Sequence, residues 1–225
     1  MTGSDYVHAL ALGLDPAWRR LSRDERCRSA EEFCSAVSRH SDVTTFTYSM
    51  IALKAGTDVL LWSLSPSLDA LEESGARTLR SGMGAWMTVR HSFLGIIRPS
   101  RYVKRPTPQE QSLFTGERSA YLIVYPFTKS ADWYLLPQDE RQKVMNEHMK
   151  VGHRFQQVRQ LLAYSFGVDD MDFLVAYETD DLPAFGELVR ELRGTESRRS
   201  TVRDTPILTG IHRPIEEITR LLGAE

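Results

Sequence analysis

The residues best suited to metal or nucleophile chemistry in this 225-residue chain are six histidines and two cysteines. Cys27 and Cys34 lie seven apart in a segment of helical character. Seven helical residues span ~10 Å, and a disulfide needs Cα atoms within ~7 Å, so the pair cannot bridge inside a regular helix. Two thiols also make a poor zinc site, and reduced packing residues are the expectation. His148 falls on the apolar stripe Val144, Val151 and Phe155 of a helix expected over Gln138–Phe155. Histidine on such a stripe is usually a hydrogen-bonded core residue. His153 lies five residues on, about 140° round a helix, so the two cannot chelate one metal as an i, i+4 pair would. A metal held by His148 must bring most of its own coordination, as haem does.

The elements that position His148 come from the rest of the chain. Apolar residues make up 41% and charged residues 26%, with a net charge of −2, which fits a globular protein able to bury a core. That balance gives no support for a nucleic-acid partner, which needs concentrated Lys and Arg. No signal-like N-terminal segment and no run of ~18 apolar residues occurs, so no membrane partner is expected and the cytoplasm is the default. There is no Gly-x-Ser-x-Gly elbow, phosphate-cradling glycine loop or His-Glu-x-x-His. Asp169-Asp170 after Gly167 reads as turn chemistry, and Lys104 and Arg105 read as solvated.

The organising feature is an internal echo. The run from Asp58 to Glu73 aligns without gaps on Asp172 to Glu187, so that Asp58 matches Asp172, Leu68 matches Leu182 and Ala70 matches Ala184 at an offset of 114. Just upstream, Tyr48-Ser-Met50 resembles Tyr164-Ser-Phe166. Two copies of one supersecondary unit account for both. The first copy reads as strands Thr44–Leu53 and Asp58–Ser63 around the Ala55-Gly56 turn, a helix capped by Ser67 or Ser65 running to about Arg80, and a strand Ala85–Ile97. The second reads as strand Ser119–Phe127, the His148 helix entered through Pro137, strands Arg159–Phe166 and Asp172–Glu178, helix Leu182–Arg193 and a short strand near Pro206–Leu208. The expected fold class is α+β, two ferredoxin-like halves in one chain with an N-terminal helical arm over the first forty residues. The halves divide as 1–118 and 119–225, joined by a surface linker over Pro99–Arg118, which carries three prolines.

Tyr125-Pro-Phe-Thr-Lys129, Trp133-Tyr-Leu-Leu-Pro137, Glu147-His148 and Gly152 resemble the core signature of the chlorite dismutase-like family. Val158-Arg-Gln160, Tyr164-Ser-Phe-Gly-x-Asp-Asp170, Leu192-Arg193 with Glu196, and Asp204-Thr-Pro206 continue the match in order. The resemblance is dense over 119–210 and weak in the first half. It implies a dimeric α+β-barrel arrangement of the two halves, an iron porphyrin in the C-terminal half and a homo-oligomer, usually a pentamer. Residue by residue, it makes His148 the proximal ligand to the iron and Glu196 the acceptor of that ligand's other ring N–H, which would fix its tautomer. Trp133 matches an aromatic beside the porphyrin.

Two reactions are known in that family. Chlorite dismutases split chlorite into chloride and dioxygen and carry a distal arginine; coproheme decarboxylases use hydrogen peroxide to turn two propionates of coproheme into vinyl groups, giving haem b. The distal arginine position falls on Gln160, with Arg159 as a rival one residue away. A neutral amide cannot supply the fixed charge that would hold chlorite. Tyr125 matches the decarboxylases' reactive tyrosine, whose phenol could give up an electron and a proton and then oxidise a propionate. Lys129 and Arg193 match propionate-side residues. Phe127, His153 and Arg198 depart from the pattern, standing where a methionine, an arginine and a propionate-binding serine are common. The resemblance favours coproheme decarboxylation, with chlorite dismutation or haem binding with weak peroxidase activity as the alternatives.

Overall fold

Residues Asp5–Leu14 form strand β1, although Ala and Leu favour helix in isolation. Val7, Ala9, Leu10, Ala11 and Leu12 are all buried, so the strand is covered on both faces and reads as a continuous apolar run instead of an alternation. The expected N-terminal helical arm is thereby corrected: β1 pairs with strands on both sides, and the long helix of that region, Arg23–Ser38, follows it. The computed structural model describes residues 5–38, 42–100, 102 and 117–225, so most of the expected linker lies outside the described residues.

After β1 come a 3-10 turn, Pro16–Arg20, and α1 (Arg23–Ser38), then β2 (Thr44–Lys54), β3 (Thr57–Ser65), α2 (Leu68–Arg80) and β4 (Met87–Ile97). The second stretch holds β5 (Tyr121–Lys129), α3 (Ala131–Leu135), α4 (Gln138–Gly152), β6 (Arg159–Tyr164), β7 (Phe173–Thr179) and α5 (Leu182–Leu192). A 3-10 turn over Glu196–Ser200, β8 (Thr201–Arg203), β9 (Leu208–His212) and α6 (Ile215–Leu221) close the chain.

Two compact units result: Met1–Ile97 with Leu208–Glu225, and Arg98–Ile207. The C-terminal segment thus packs with the first unit, where Cys34, Ile215, Ile218 and Leu222 share a core with Trp18 and Phe33. This division differs from the expected one at 118/119, because α6 buries its apolar face against α1. In the first unit the pairing order is β4–β1–β3–β2, all antiparallel, with β9 against β2. In the second it is β6–β7–β5–β8, again antiparallel.

The echo between the copies is physical. Ser67 caps α2 by accepting the Ala70 N–H, and Asp181 caps α5 by accepting the Ala184 N–H; both caps replace an otherwise unpaired helix-end donor. Between β2 and β3, Gly56 takes φ +72°, the left-handed turn conformation that favours glycine. α1 starts with a capping box, in which Ser22 Oγ accepts the Glu25 N–H while Glu25 accepts from the Ser22 N–H.

Candidate functional site

The second unit gathers the chemistry. Register sets Tyr125 opposite Val175 and Gln160 opposite Tyr177, and opposed residues on antiparallel strands project to one face. Tyr125, Gln160 and Tyr177 therefore share a face. There the Tyr125 and Tyr177 rings stack at 6.1 Å, and Val151, Phe155 and Leu188 join the same apolar cluster. Arg159 projects to the other face, where it donates to the fully buried Glu178 carboxylate at 2.9 Å and to Ser119 Oγ at 2.9 Å. Burial, reinforced by Tyr177, holds the Tyr125 phenol well above the usual tyrosine range. The Asp204 charge acts in the same sense and Arg193 opposes it, so both lie within electrostatic reach of Tyr125.

At the end of β5 the chain turns into α3, capped by Ser130. This turn buries Trp133, 3% exposed, beneath the Lys129 ammonium, whose Nζ lies 4.6 Å from the indole and 5.4 Å from the Phe127 ring. Nζ donates to the Ser197 carbonyl at 2.7 Å and to Ser197 Oγ at 2.8 Å. Burial, and then the Arg198 charge, pushes Lys129 down to about 8.

α4 carries His148. Its Nδ1 is buried and has no hydrogen-bond partner among the described residues. Burial, and then the Lys129 charge, lowers His148 to about 4, with Glu147 opposing. The imidazole is therefore neutral at physiological pH and keeps a nitrogen lone pair for a metal. Glu196, expected to accept the ring N–H, instead ion-pairs through its carboxylate with Arg199 at 3.2 Å. Its backbone N–H donates to Glu147 Oε2 at 3.0 Å, which ties the Glu196 turn to α4.

The first unit shows what the second has exchanged. At an offset of 115 residues, Tyr125, Lys129, Trp133 and His148 correspond to Leu10, Leu14, Trp18 and Phe33, all members of one buried apolar cluster. α1 buries five residues, including Phe33, whereas α4 buries none and leaves its apolar stripe half-covered. In the first unit a cavity of about 10 Å³ lies beside Leu10 and Thr45, room for about one water.

Sequence reasoning thus located Tyr125, Lys129, Trp133, His148 and Gln160 on one unit and missed Ser197, Tyr177 and Asp172. Asp172 carried a signal through its match to Asp58; Ser197 and Tyr177 reach the site only through pairing and packing. Among the described residues no cluster of three or more His, Cys, Asp and Glu could hold a metal by itself. One neutral imidazole on α4 fits a metal that arrives with its own ligand plane.

The chain matches the chlorite dismutase family over residues 23–213 and belongs to that family. It is 28% identical over 200 residues to the coproheme decarboxylase of Mycolicibacterium smegmatis (strain ATCC 700084 / mc(2)155), covering 87% of this chain and 85% of that protein. A mutant chlorite dismutase from Candidatus Nitrospira defluvii superposes with a TM-score of 0.90 at 26% identity, covering 100% of this chain and 98% of that one. Chlorite dismutase from the same organism in complex with imidazole gives 0.89 at 26% identity, over 100% and 97% of the two chains. The α+β fold of antiparallel strands and helices is shared with these structures. Members of the family are haem-dependent enzymes, which makes this chain a haem-related oxidoreductase. No helix among the described residues is long and apolar enough to cross a membrane.

Proposed function

We propose that this chain decarboxylates coproheme to haem b with hydrogen peroxide. The observation that carries this reading is that Gln160, not Arg159, shares the face of Tyr125, while Arg159 is committed to Glu178 on the opposite face. A neutral amide offers little hold on a chlorite anion. A buried phenol that keeps its proton suits one-electron, one-proton work on a propionate. The likeness to the mycobacterial coproheme decarboxylase supports the same choice.

In this reading His148 would hold the iron through a neutral ring nitrogen, and Trp133 and Arg193 would help hold the porphyrin. When bound, the porphyrin iron supplies the redox chemistry that peroxide drives. Tyr125 Oη holds the proton to be moved, and Tyr177 together with the apolar cluster excludes water from it. Lys129 keeps Trp133 in place through its contact with the indole and with Ser197. Glu196 would become the partner of His148 by leaving Arg199. We read the two units as ferredoxin-like halves, since each runs strand, helix, strand, strand, helix, strand with the pairing order 4-1-3-2. We further propose a cytoplasmic homo-oligomer, a pentamer as is usual in the family.

The test is to give the purified chain coproheme and peroxide and to follow loss of two carboxylates by mass spectrometry. Unchanged coproheme in a porphyrin-loaded sample refutes the reading. Chlorite dismutation is the second reading, favoured by the TM-score of 0.90 to a chlorite dismutase. Dioxygen release on chlorite addition to the same sample would select it.

A further inference from the structure

The duplicated aspartates, Asp58 and Asp172, make the same contact in their own units. Asp58 Oδ2 accepts the N–H of Leu14, the last residue of β1, at 2.7 Å. Asp172 Oδ2 accepts the N–H of Lys129, the last residue of β5, at 2.7 Å. In both units the chain then turns through a short helical segment that buries a tryptophan, Trp18 or Trp133. A carboxylate at the start of the third strand of each copy, Asp58 as its second residue and Asp172 just before it, thus pins the exit of the first.

The second copy has added to this contact. Asp172 Oδ2 also accepts the Tyr134 O–H at 2.6 Å, and the Asp172 N–H donates to the Phe127 carbonyl at 3.2 Å. Hydrogen bonds to an ionised acceptor are short and about twice as strong as neutral ones. One carboxylate therefore holds the main chain of Lys129, whose Nζ covers Trp133, and the side chain of the residue next to Trp133. In the first unit the pinned residue, Leu14, faces an apolar core, where slack costs stability alone. In the second, slack at Lys129 shifts the wall of the candidate site.

We propose that Asp172 is a positioning residue of the porphyrin site, acting through Lys129 and Tyr134, and that Asp58 is its purely structural copy. The inference rests on the porphyrin reading above. Burial, followed by the Asp172 hydrogen bond, raises the Tyr134 phenol above the usual tyrosine range.

Full-length Asp172→Ala, Asp172→Asn and Asp58→Ala are titrated with coproheme and followed by Soret absorbance. Asp172→Ala is expected to bind about tenfold more weakly, equivalent to about 1.4 kcal/mol. Asp172→Asn, which keeps an acceptor oxygen, is expected to recover binding to within about threefold of wild type. Asp58→Ala loses thermal stability comparable to Asp172→Ala yet binds within about twofold of wild type. Wild-type-like binding by Asp172→Ala overturns the proposal, as does equal weakening in both alanine variants. A wild type that takes up no coproheme overturns the functional reading instead, and this inference with it.

Discussion

Lys129→Met tests whether a buried cation is built into the wall of the site. The lysine is 7% exposed, and its folded-state pKa lies near 8 instead of 10.5, through burial and then Arg198. Each pKa unit corresponds to about 1.36 kcal/mol, so the fall amounts to about 3 kcal/mol against the charged form in the folded chain. Unfolded chains hold this proton up to pH 10.5, whereas the folded chain releases it near 8. Between those values the unfolded state binds more protons, and stability rises with pH. Below about 8 both states are protonated and the whole cost is present. Methionine keeps the apolar length and cannot titrate, and His148, which feels the Lys129 charge, is already neutral across this window in both proteins. Urea unfolding at closely spaced pH values should show wild type gaining about 3 kcal/mol on Lys129→Met as pH rises through that window. Parallel stability curves would refute the buried-cation account, and with it the role of Lys129 in holding Trp133.

Replacing His148 with Ala should abolish the imidazole-ligated haem spectrum or greatly weaken porphyrin binding; an unchanged ferric spectrum and affinity would show that another residue is the ligand. Because His148 titrates near 4 in the folded chain and 6.5 is its ordinary value, stability should fall as pH drops through that interval, and His148→Phe should flatten the acid limb in unfolding experiments. Tyr125→Phe should keep coproheme bound yet stop decarboxylation, since the ring and its packing remain while the transferable proton is gone; normal turnover under peroxide would sink the phenol's redox role. Gln160→Arg should raise chlorite-dependent dioxygen release by placing a guanidinium on the Tyr125 face, and an oxygen electrode on haem-loaded protein decides it.

Local chemistry made much of this legible before any packing was known. Helix caps and the Ala55-Gly56 turn depend on neighbours in sequence, and Ser67 and Gly56 take the roles that their types suggest. Helical spacing puts His148 beside Val144 and Val151, and the motif resemblance, not the spacing, singled it out as a ligand candidate. Tertiary structure decided the rest. β1 is a strand because its burial on both faces overrides the helical preference of its Ala and Leu residues, which no local pattern discloses. Choosing between Arg159 and Gln160 needed the strand register, since side chains alternate faces and a slip of one residue exchanges them. The partner of Lys129 is Ser197, and the carboxylate of Glu196 faces Arg199 instead of His148. The Lys129–Ser197 pairing joins residues far apart in the chain, and packing of the 3-10 turn over Glu196–Ser200 beside α4 and β5 brings them within hydrogen-bond reach, whereas the Glu196–Arg199 ion pair is local to that turn.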